Sequence, residues 1–206
     1  MRYKGSPTHP AFDNLRVRHM YRKIIKTTPF GSVGIIWTGF NSHPKIIQIL
    51  LSKDKLSAED RASQLYPNAS ASSCPEIDAV AFKIKGLLEG DDIAISLDVA
   101  DLGVCSAFQQ SVLRAEYGIP RGRVSAYGLI AEHIGKHNGA RAVGTALARN
   151  PFPLIVPCHR AIRSDRRLGG FQNGVKMKQA LLEMEGVSFD DAGRVVCDRL
   201  HYERVS

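Results

Sequence analysis

One short segment of the chain combines residue types that could form a nucleophilic site. The tetrapeptide Pro157-Cys158-His159-Arg160 follows the apolar run 154–156. A cysteine is a strong nucleophile only as a thiolate, so a reactive cysteine needs a base or a positive field beside it, and His159 and Arg160 provide these by proximity. Because neighbouring side chains of an extended segment point in opposite directions, we expect His159 to reach Cys158 through a water. A buried thiol beside a capping histidine is the alternative that these residues alone leave open.

The remaining candidate ligands form no recognisable metal or redox site. The other cysteines are Cys74, Cys105 and Cys197, and the histidines nearest the N-terminus are His9, His19 and His43. The cysteines lack C-x-x-C spacing, which argues against a zinc ribbon or a disulfide framework, and the histidines have no convincing ligand spacing. We therefore expect reduced thiols, no metal and no cofactor.

Composition indicates a globular protein with an anionic partner. The 206 residues are 44% hydrophobic and 23% charged, enough for one large domain or two small ones, and two is the preferred interpretation. No apolar run is long enough to span a bilayer and no secretory signal is recognisable, so we expect a soluble, cytoplasmic protein without a membrane partner. The net charge of +8, concentrated from residue 121 onward, favours nucleic acid.

Residues 1–100 are predicted to form an α/β domain without identifiable chemistry. β-branched runs predict strands at Val33–Trp37, Ile46–Leu51 and Ile93–Val99. The basic tract Leu15–Lys26 is compatible with a helix or a strand. Capping patterns predict that helices begin at Ser57, with Asp60 completing a capping box, and at Ser73, the second of these ending at Gly90.

Residues 101–190 are predicted to form a second, mainly α domain, followed by a polar tail over 191–206. Expected helices run from Ser106 to Gly118, from Ser125 to Gly135, from Ala140 to Arg149 and from Val175 to Glu185. Two short helices joined by the Gly-containing turn 136–139 are typical of a helix-turn-helix. The expected fold is thus an α/β N-terminal domain and a mainly α C-terminal domain with a winged-helix-like DNA-binding motif.

The stretch from Phe108 to Val187 resembles the C-terminal domain of the O6-alkylguanine-DNA alkyltransferases, the methylated-DNA–protein-cysteine methyltransferases. The matching motifs are Phe108-Gln109-Gln110, Val124-Ser125-Ala126-Tyr127, Ala140-Arg141-Ala142-Val143-Gly144, Asn150-Pro151, Pro157-Cys158-His159-Arg160, Gly169-Gly170-Phe171 and Leu181-Leu182 ahead of Glu185-Gly186. Several motifs in the same order over about eighty residues are a specific signal. The first hundred residues show little comparable signal.

The resemblance implies a single-turnover alkyl transfer onto Cys158 after the damaged base is rotated out of the duplex, because O6 cannot be reached while the base is stacked. It implies that His159 is the base, that Glu185 orients it, and that a water completes the relay to Cys158. Tyr127 would lie beside the phosphate of the rotated nucleotide and help guanine to leave. Asn150 would link the DNA-reading helix to the active site.

The resemblance also implies a DNA-binding surface and an alkyl pocket. Arg141 would fill the gap left by the rotated base, projecting from a helix whose small residues allow close approach to DNA; those named for this surface are Ala140, Gly144 and Thr145. Close packing on a neighbouring helix is the alternative explanation of the small residues. The basic loop 163–167 is interpreted equally well as a phosphate contact and as a solvated surface loop.

The pocket is assigned to Val156, Pro157, Phe171, Gln172 and Asn173. Many relatives have small residues where Gln172 and Asn173 stand, and this departure affects which alkyl groups fit rather than the reaction. The implied partner is double-stranded DNA containing O6-alkylguanine, with O4-alkylthymine as a further candidate, bound by a monomer in the cytoplasm, or in the nucleus of a eukaryote. The alternatives are a lesion-binding alkyltransferase-like protein, a helix-turn-helix regulator and a Cys–His hydrolase, of which the first lacks the acceptor cysteine.

Overall fold

A computed structural model describes residues 19–39, 43–53 and 55–203. Its main sheet has four strands in the order β3-β2-β1-β4, which are β1 Met20–Ile25, β2 Val33–Thr38, β3 Lys45–Leu51 and β4 Ser70–Ala71. β1, β2 and β3 pair antiparallel and β4 pairs parallel to β1. The two predicted strands at β2 and β3 are confirmed. The described part of the basic tract is the strand β1, while its residues 15–18 lie outside the described residues.

Two helices accompany this sheet, α1 over Ala58–Leu65 and α2 over Pro75–Glu89. The capping box at Ser57 and Asp60 is confirmed, with each residue's side chain accepting a hydrogen bond from the other's backbone N–H. The N-cap of α2 is Cys74 rather than the predicted Ser73, because the Ser73 hydroxyl donates to the Asp78 carboxylate instead of capping the helix. As predicted, α2 ends at Gly90, whose φ of 102° is readily adopted only by glycine.

The predicted strand Ile93–Val99 is wrong. Its C-terminal part is a 3₁₀ turn, Leu97–Val99, stabilised by the Ser96 side chain, which accepts from the Asp98 N–H. A second 3₁₀ turn follows at Leu102–Val104. Ile95 is buried nevertheless, so the alternating pattern reflected burial rather than strand pairing.

The second half, described from Ala107 to residue 203, contains four helices, two pairs of short strands and one 3₁₀ turn. Its elements are α3 Ala107–Tyr117, β5 Ser125–Ala126, α4 Tyr127–His133, α5 Ala140–Ala148, the 3₁₀ turn Cys158–Arg160, β6 Ala161–Ile162, α6 Val175–Met184, β7 Ser188–Phe189 and β8 Val195–Val196. β5 pairs parallel to β6, and β7 pairs antiparallel to β8. The helix predicted from Ser125 begins two residues later, because Ser125 lies in β5 and its hydroxyl donates to the His201 carbonyl rather than capping a helix.

One cluster of buried apolar side chains runs through both halves of the chain. It includes Trp37 from β2, Ile84 from α2, Leu113 from α3, Val143 from α5 and Cys158 itself. The halves are also joined by a backbone hydrogen bond of 2.8 Å from Ile49 N–H in β3 to the Pro151 carbonyl. The candidate thiol is therefore part of the core that holds the two halves together. No helix of the described residues has the length and apolar character needed to cross a membrane.

Candidate active site

Asn150 and a tight loop fix the approach to Cys158. The Asn150 side chain is buried, donates to the Val156 carbonyl and accepts from the Phe152 N–H, so it ties both ends of the loop to itself. Leu154 within this loop has φ 75°, a left-handed conformation that costs free energy for a residue other than glycine. The loop leads into the 3₁₀ turn in which Cys158 and His159 lie. Local hydrogen bonds thus hold the thiol in one position.

The Cys158 thiol is buried and favours its neutral form. Burial raises its pKa to about 11, because the thiolate loses the water that would solvate it. A hydrogen bond from Asn150 and the charge of Lys178 lower the pKa, but they offset only part of this effect, and the carboxyl of Glu116 raises it further. The resting protein therefore needs a proton acceptor before the sulfur can become a strong nucleophile.

His159 and Glu185 form a buried pair next to this thiol. The His159 Nε2 atom lies 2.9 Å from the Glu185 Oε1 atom. Burial by itself would raise the Glu185 pKa, but hydrogen bonds from His159 and Arg160 outweigh it and lower the pKa to about 2. Since Glu185 is ionised, Nε2 is the nitrogen that carries the proton, and Nδ1 is left with its lone pair. Nδ1 is buried and has no hydrogen-bond partner among the described residues, so it is the basic atom of the pair.

Arg160 contacts Glu185 and not the thiol beside which the sequence places it. Its Nη2 donates to Glu185 Oε1 at 2.8 Å and its Nε to Oε2 at 3.0 Å, while Nη1 donates to the Ile119 carbonyl at 2.6 Å. The Gly122 N–H donates to Oε2 at 3.3 Å. The Arg160 guanidinium, which we expected beside Cys158, thus lies against Glu185 instead, because the 3₁₀ turn directs its side chain toward the end of α6. Arg160 and Gly122 hold the carboxylate that holds His159.

A second buried group of polar side chains lies close enough to Cys158 to affect the pKa of its thiol. The Lys178 ammonium donates to the Ala161 carbonyl and lies 3.5 Å from the Tyr127 hydroxyl. Glu116 is buried, and neither of its carboxyl oxygens has a hydrogen-bond partner in the described part of the chain. Burial lowers the Lys178 pKa to about 8 and raises the pKa of Glu116 to about 8 and that of Tyr127 to about 12. Lys178 and Glu116 therefore titrate close to neutral pH, whereas Tyr127 keeps its proton there.

A pocket of about 400 Å³ opens onto Cys158. Its lining residues are Lys53, Tyr127, Gly144, Leu147, Ala148, Cys158, Gly170, Phe171 and Gln172. Phe171 also meets His159 edge to face, with ring centroids 6.5 Å apart. Gly169 is packed so tightly that a Cβ atom there would overlap the ring of Tyr127. The pocket therefore joins the thiol to α5 and to the loop before α6.

Three of the five residues assigned to the pocket from sequence do not line it. Val156 and Pro157 are buried in the core and do not line the pocket, because the chain reaches the thiol through the core. Asn173 is turned away toward the first half of the chain, where its side chain donates to the Ser52 carbonyl. Gln172 lines the pocket, and its side chain donates to the Asn150 carbonyl at 2.7 Å.

The helix α5 presents its small residues and Arg141 at the surface. Arg141 and Thr145 are exposed, Ala140 and Gly144 are half-buried, and the Thr145 hydroxyl donates back to the Arg141 carbonyl at 3.0 Å. Gly144 reaches the pocket, so this helix connects the surface to the thiol. Within the described ranges, no group of three or more His, Cys, Asp or Glu side chains could hold a metal ion.

Residues 107–187 match the family described as "6-O-methylguanine DNA methyltransferase, DNA binding domain". The chain is 47% identical over 107 residues to a methylated-DNA–protein-cysteine methyltransferase of Methanothermobacter thermautotrophicus, an alignment covering 52% of this chain and 60% of that protein. Residues 107–187 therefore carry the DNA-binding domain that this family model describes. A methyltransferase of the same name from Mycobacterium bovis is 49% identical over 38% of this chain and 47% of its own length. The chain thus spans about half to three fifths of these two relatives.

Solved structures of alkyltransferases extend the similarity to most of the fold. Mycobacterium tuberculosis O6-methylguanine methyltransferase superposes with a TM-score of 0.64 at 27% identity, over 81% of this chain and 92% of that one. The structure of Mycobacterium tuberculosis OGT in complex with DNA gives a TM-score of 0.62 at 28% identity, over the same shares. The first half of this chain, which carries little family signal in its sequence, is therefore largely included in the structural match.

Two buried residues close to Cys158 were missed by reasoning from sequence. Glu116 stands three residues after Leu113, and Lys178 stands three residues before Leu181. Residues at this spacing share one face of a helix, and both leucines face the core. A charged residue within an apolar stripe was therefore the signal that could have found them.

Proposed function

We propose that this protein repairs DNA by direct reversal, transferring the alkyl group of O6-alkylguanine, and as a second substrate O4-alkylthymine, irreversibly to Cys158. The observation that carries the proposal is the position of Cys158 at the end of a pocket beside the buried His159–Glu185 pair. Support also comes from the relatives, which are named as methyltransferases acting on methylated DNA, and from the structure of one neighbour with DNA.

His159 acts as the base in this mechanism. The Cys158 thiol passes its proton through a water to Nδ1, and Glu185 holds the resulting imidazolium by accepting from Nε2. The thiolate then attacks the alkyl carbon, forming the S–C bond as the C–O bond breaks. Guanine leaves with the bonding electrons on O6, and the Tyr127 hydroxyl, together with backbone N–H groups, stabilises the developing charge. The product is a thioether that no residue cleaves, so each molecule acts once.

The substrate is double-stranded DNA from which the damaged nucleotide is rotated into the pocket. In this proposal α4 and α5 act as the two helices of a helix-turn-helix, with the loop 163–167 as its wing. Arg141 fills the space left by the base, and Ala140, Gly144 and Thr145 allow α5 to approach the backbone closely. The protein acts as a monomer inside the cell, where DNA is found.

The presence of the acceptor residue argues against a lesion-binding protein without catalytic activity. A helix-turn-helix regulator would have no use for a thiol at the end of a pocket, and a Cys–His hydrolase would have no use for an exposed arginine on a helix of small residues. Alkyl transfer from DNA requires both the thiol at the end of the pocket and the exposed arginine on the helix of small residues.

The test is to incubate the protein with a duplex carrying radiolabelled O6-methylguanine and to follow the label into protein. We expect stoichiometric transfer that is lost in Cys158→Ala while binding to the duplex is retained. Cys197→Ala, which changes a half-buried thiol remote from the pocket, is the matched control and should transfer normally. Binding without transfer would favour the lesion-binding alternative, and more than one transfer per molecule would exclude the irreversible mechanism.

A further inference from the structure

The end of β3 forms part of the pocket wall, although it lies in the half of the chain to which no chemistry was assigned. Two hydrogen bonds dock it there: Ile49 N–H donates to the Pro151 carbonyl, and the Asn173 side chain donates to the Ser52 carbonyl. The next residue, Lys53, begins a tight turn in which its N–H and carbonyl both bond to Leu56. The position of Lys53 is thus fixed from both sides.

Lys53 differs in charge from every other residue of the pocket wall. The remaining lining residues are aromatic, aliphatic, glycine, amide or thiol. Lys53 is exposed, and its ammonium forms no ion pair with a carboxylate within the described ranges. A single solvated cation at the open side of an otherwise neutral pocket attracts an anionic group on whatever enters.

We propose that Lys53 binds an anionic group carried by the rotated nucleotide, so that the first half of the chain supplies a substrate-binding residue. This inference rests on the proposed function. Two sources provide the same chemistry: a backbone phosphate next to the rotated base, or an acidic adduct such as a carboxymethyl group on O6. The role of Lys53 is to bind and orient the nucleotide, and it takes no part in the bond changes at Cys158.

The experiment compares Lys53→Ala with Lys55→Ala, since Lys55 is also exposed but lies outside the pocket wall. Single-turnover transfer is measured from duplex DNA carrying O6-methylguanine, and from the free nucleobases O6-methylguanine and O6-carboxymethylguanine. If the anion is a phosphate, Lys53→Ala weakens transfer from the duplex about tenfold and lowers the slope of log affinity against log salt by about 1, without affecting the nucleobases. If the anion is the adduct, only transfer from O6-carboxymethylguanine falls.

Lys53→Arg should retain activity in either case, because it keeps the charge. Unfolding curves of all three variants should coincide with that of the unmodified protein, which excludes a folding defect. Equal behaviour of Lys53→Ala and Lys55→Ala with every substrate would overturn the inference. Failure of the unmodified protein to transfer from any substrate would instead overturn the proposed function, so the two failures are distinguishable.

Discussion

Glu185 and Glu116 are two buried carboxyl groups near the Cys158 turn, and they differ in their hydrogen-bond partners. Glu185 accepts hydrogen bonds from His159, Arg160 and the Gly122 N–H, and its pKa falls to about 2. Glu116 has no hydrogen-bond partner for either oxygen among the described residues, and its pKa rises to about 8.

The comparison shows that partners, and not burial, decide the charge of a buried carboxyl group. Burial raises the pKa of both, but only Glu185 receives enough hydrogen bonds to reverse the effect. Glu185 is therefore a permanent anion that fixes the tautomer of His159. Glu116 is an acid that holds its proton at neutral pH, close to Lys178 and the thiol.

The largest effect is expected for Glu185→Gln. The change removes the charge that pairs with Arg160 and leaves that largely buried cation without a counter-charge, which costs about 3–5 kcal/mol in the free energy of unfolding. Transfer should also slow by at least about 100-fold, the scale of a lost general-base step. Urea unfolding and single-turnover transfer measure the two effects. Glu183→Gln is the control, since Glu183 is exposed on the same helix and its carboxylate accepts a hydrogen bond from Gln179. An equal loss in that variant would contradict the prediction.

Glu116→Leu should stabilise the protein, in contrast to Glu185→Gln, and so raise its free energy of unfolding. The folded protein keeps the Glu116 proton up to about pH 8, whereas the unfolded chain releases it near the ordinary value of 4.5. The unmodified protein therefore loses stability as the pH rises through this window. Lys178, whose pKa is about 8, stays charged over most of the window and begins to lose its proton at the upper end. We expect Glu116→Leu to be more stable by about 2–4 kcal/mol at pH 8, with a smaller difference at pH 5, since each unit of pKa difference between the folded and unfolded states is worth about 1.4 kcal/mol.

Chemical denaturation at the two pH values checks this, with Glu132→Leu, an exposed position on α4, as the control. A difference that does not grow with pH would show that Glu116 is not the titrating group.

The smallest effect concerns the pH dependence of transfer. Burial lowers the His159 pKa below its ordinary 6.5, although the hydrogen bond to Glu185 acts in the opposite direction. The neutral base therefore persists in mild acid, and the transfer rate at saturating DNA should fall to half only below pH 6.5. Single-turnover rates between pH 5 and 8 measure this midpoint. A steady tenfold fall per pH unit across the range would instead show that the free thiolate limits the rate without help from His159.

Local patterns in the sequence were sufficient for much of the framework. Three features could be predicted because they depend on residues that are neighbours in sequence. They are the β-branched runs at β2 and β3, the capping box at Ser57 and Asp60, and the end of α2 at Gly90. The adjacency of Cys158 and His159 was likewise visible. The strand expected over Ile93–Val99 is absent from the described structure. Alternation of apolar and polar residues indicates which side chains are buried, but a strand also needs a neighbouring strand to pair with, and the sequence pattern does not show whether one is available.

What only the tertiary structure decided is which distant groups meet at the thiol. Glu185 is 26 residues from His159 in the sequence. That Arg160 contacts the same carboxylate could not be predicted from its position next to His159, because it depends on the 3₁₀ turn. Lys53 enters the pocket wall because β3 docks onto the loop before Cys158, and Glu116 and Lys178 approach it because their helices pack face to face with the turn. The sequence by itself determined the nucleophile and its neighbour. Its charge environment depends on side chains brought together through packing, since burial and long-range hydrogen bonds exist only in the folded chain.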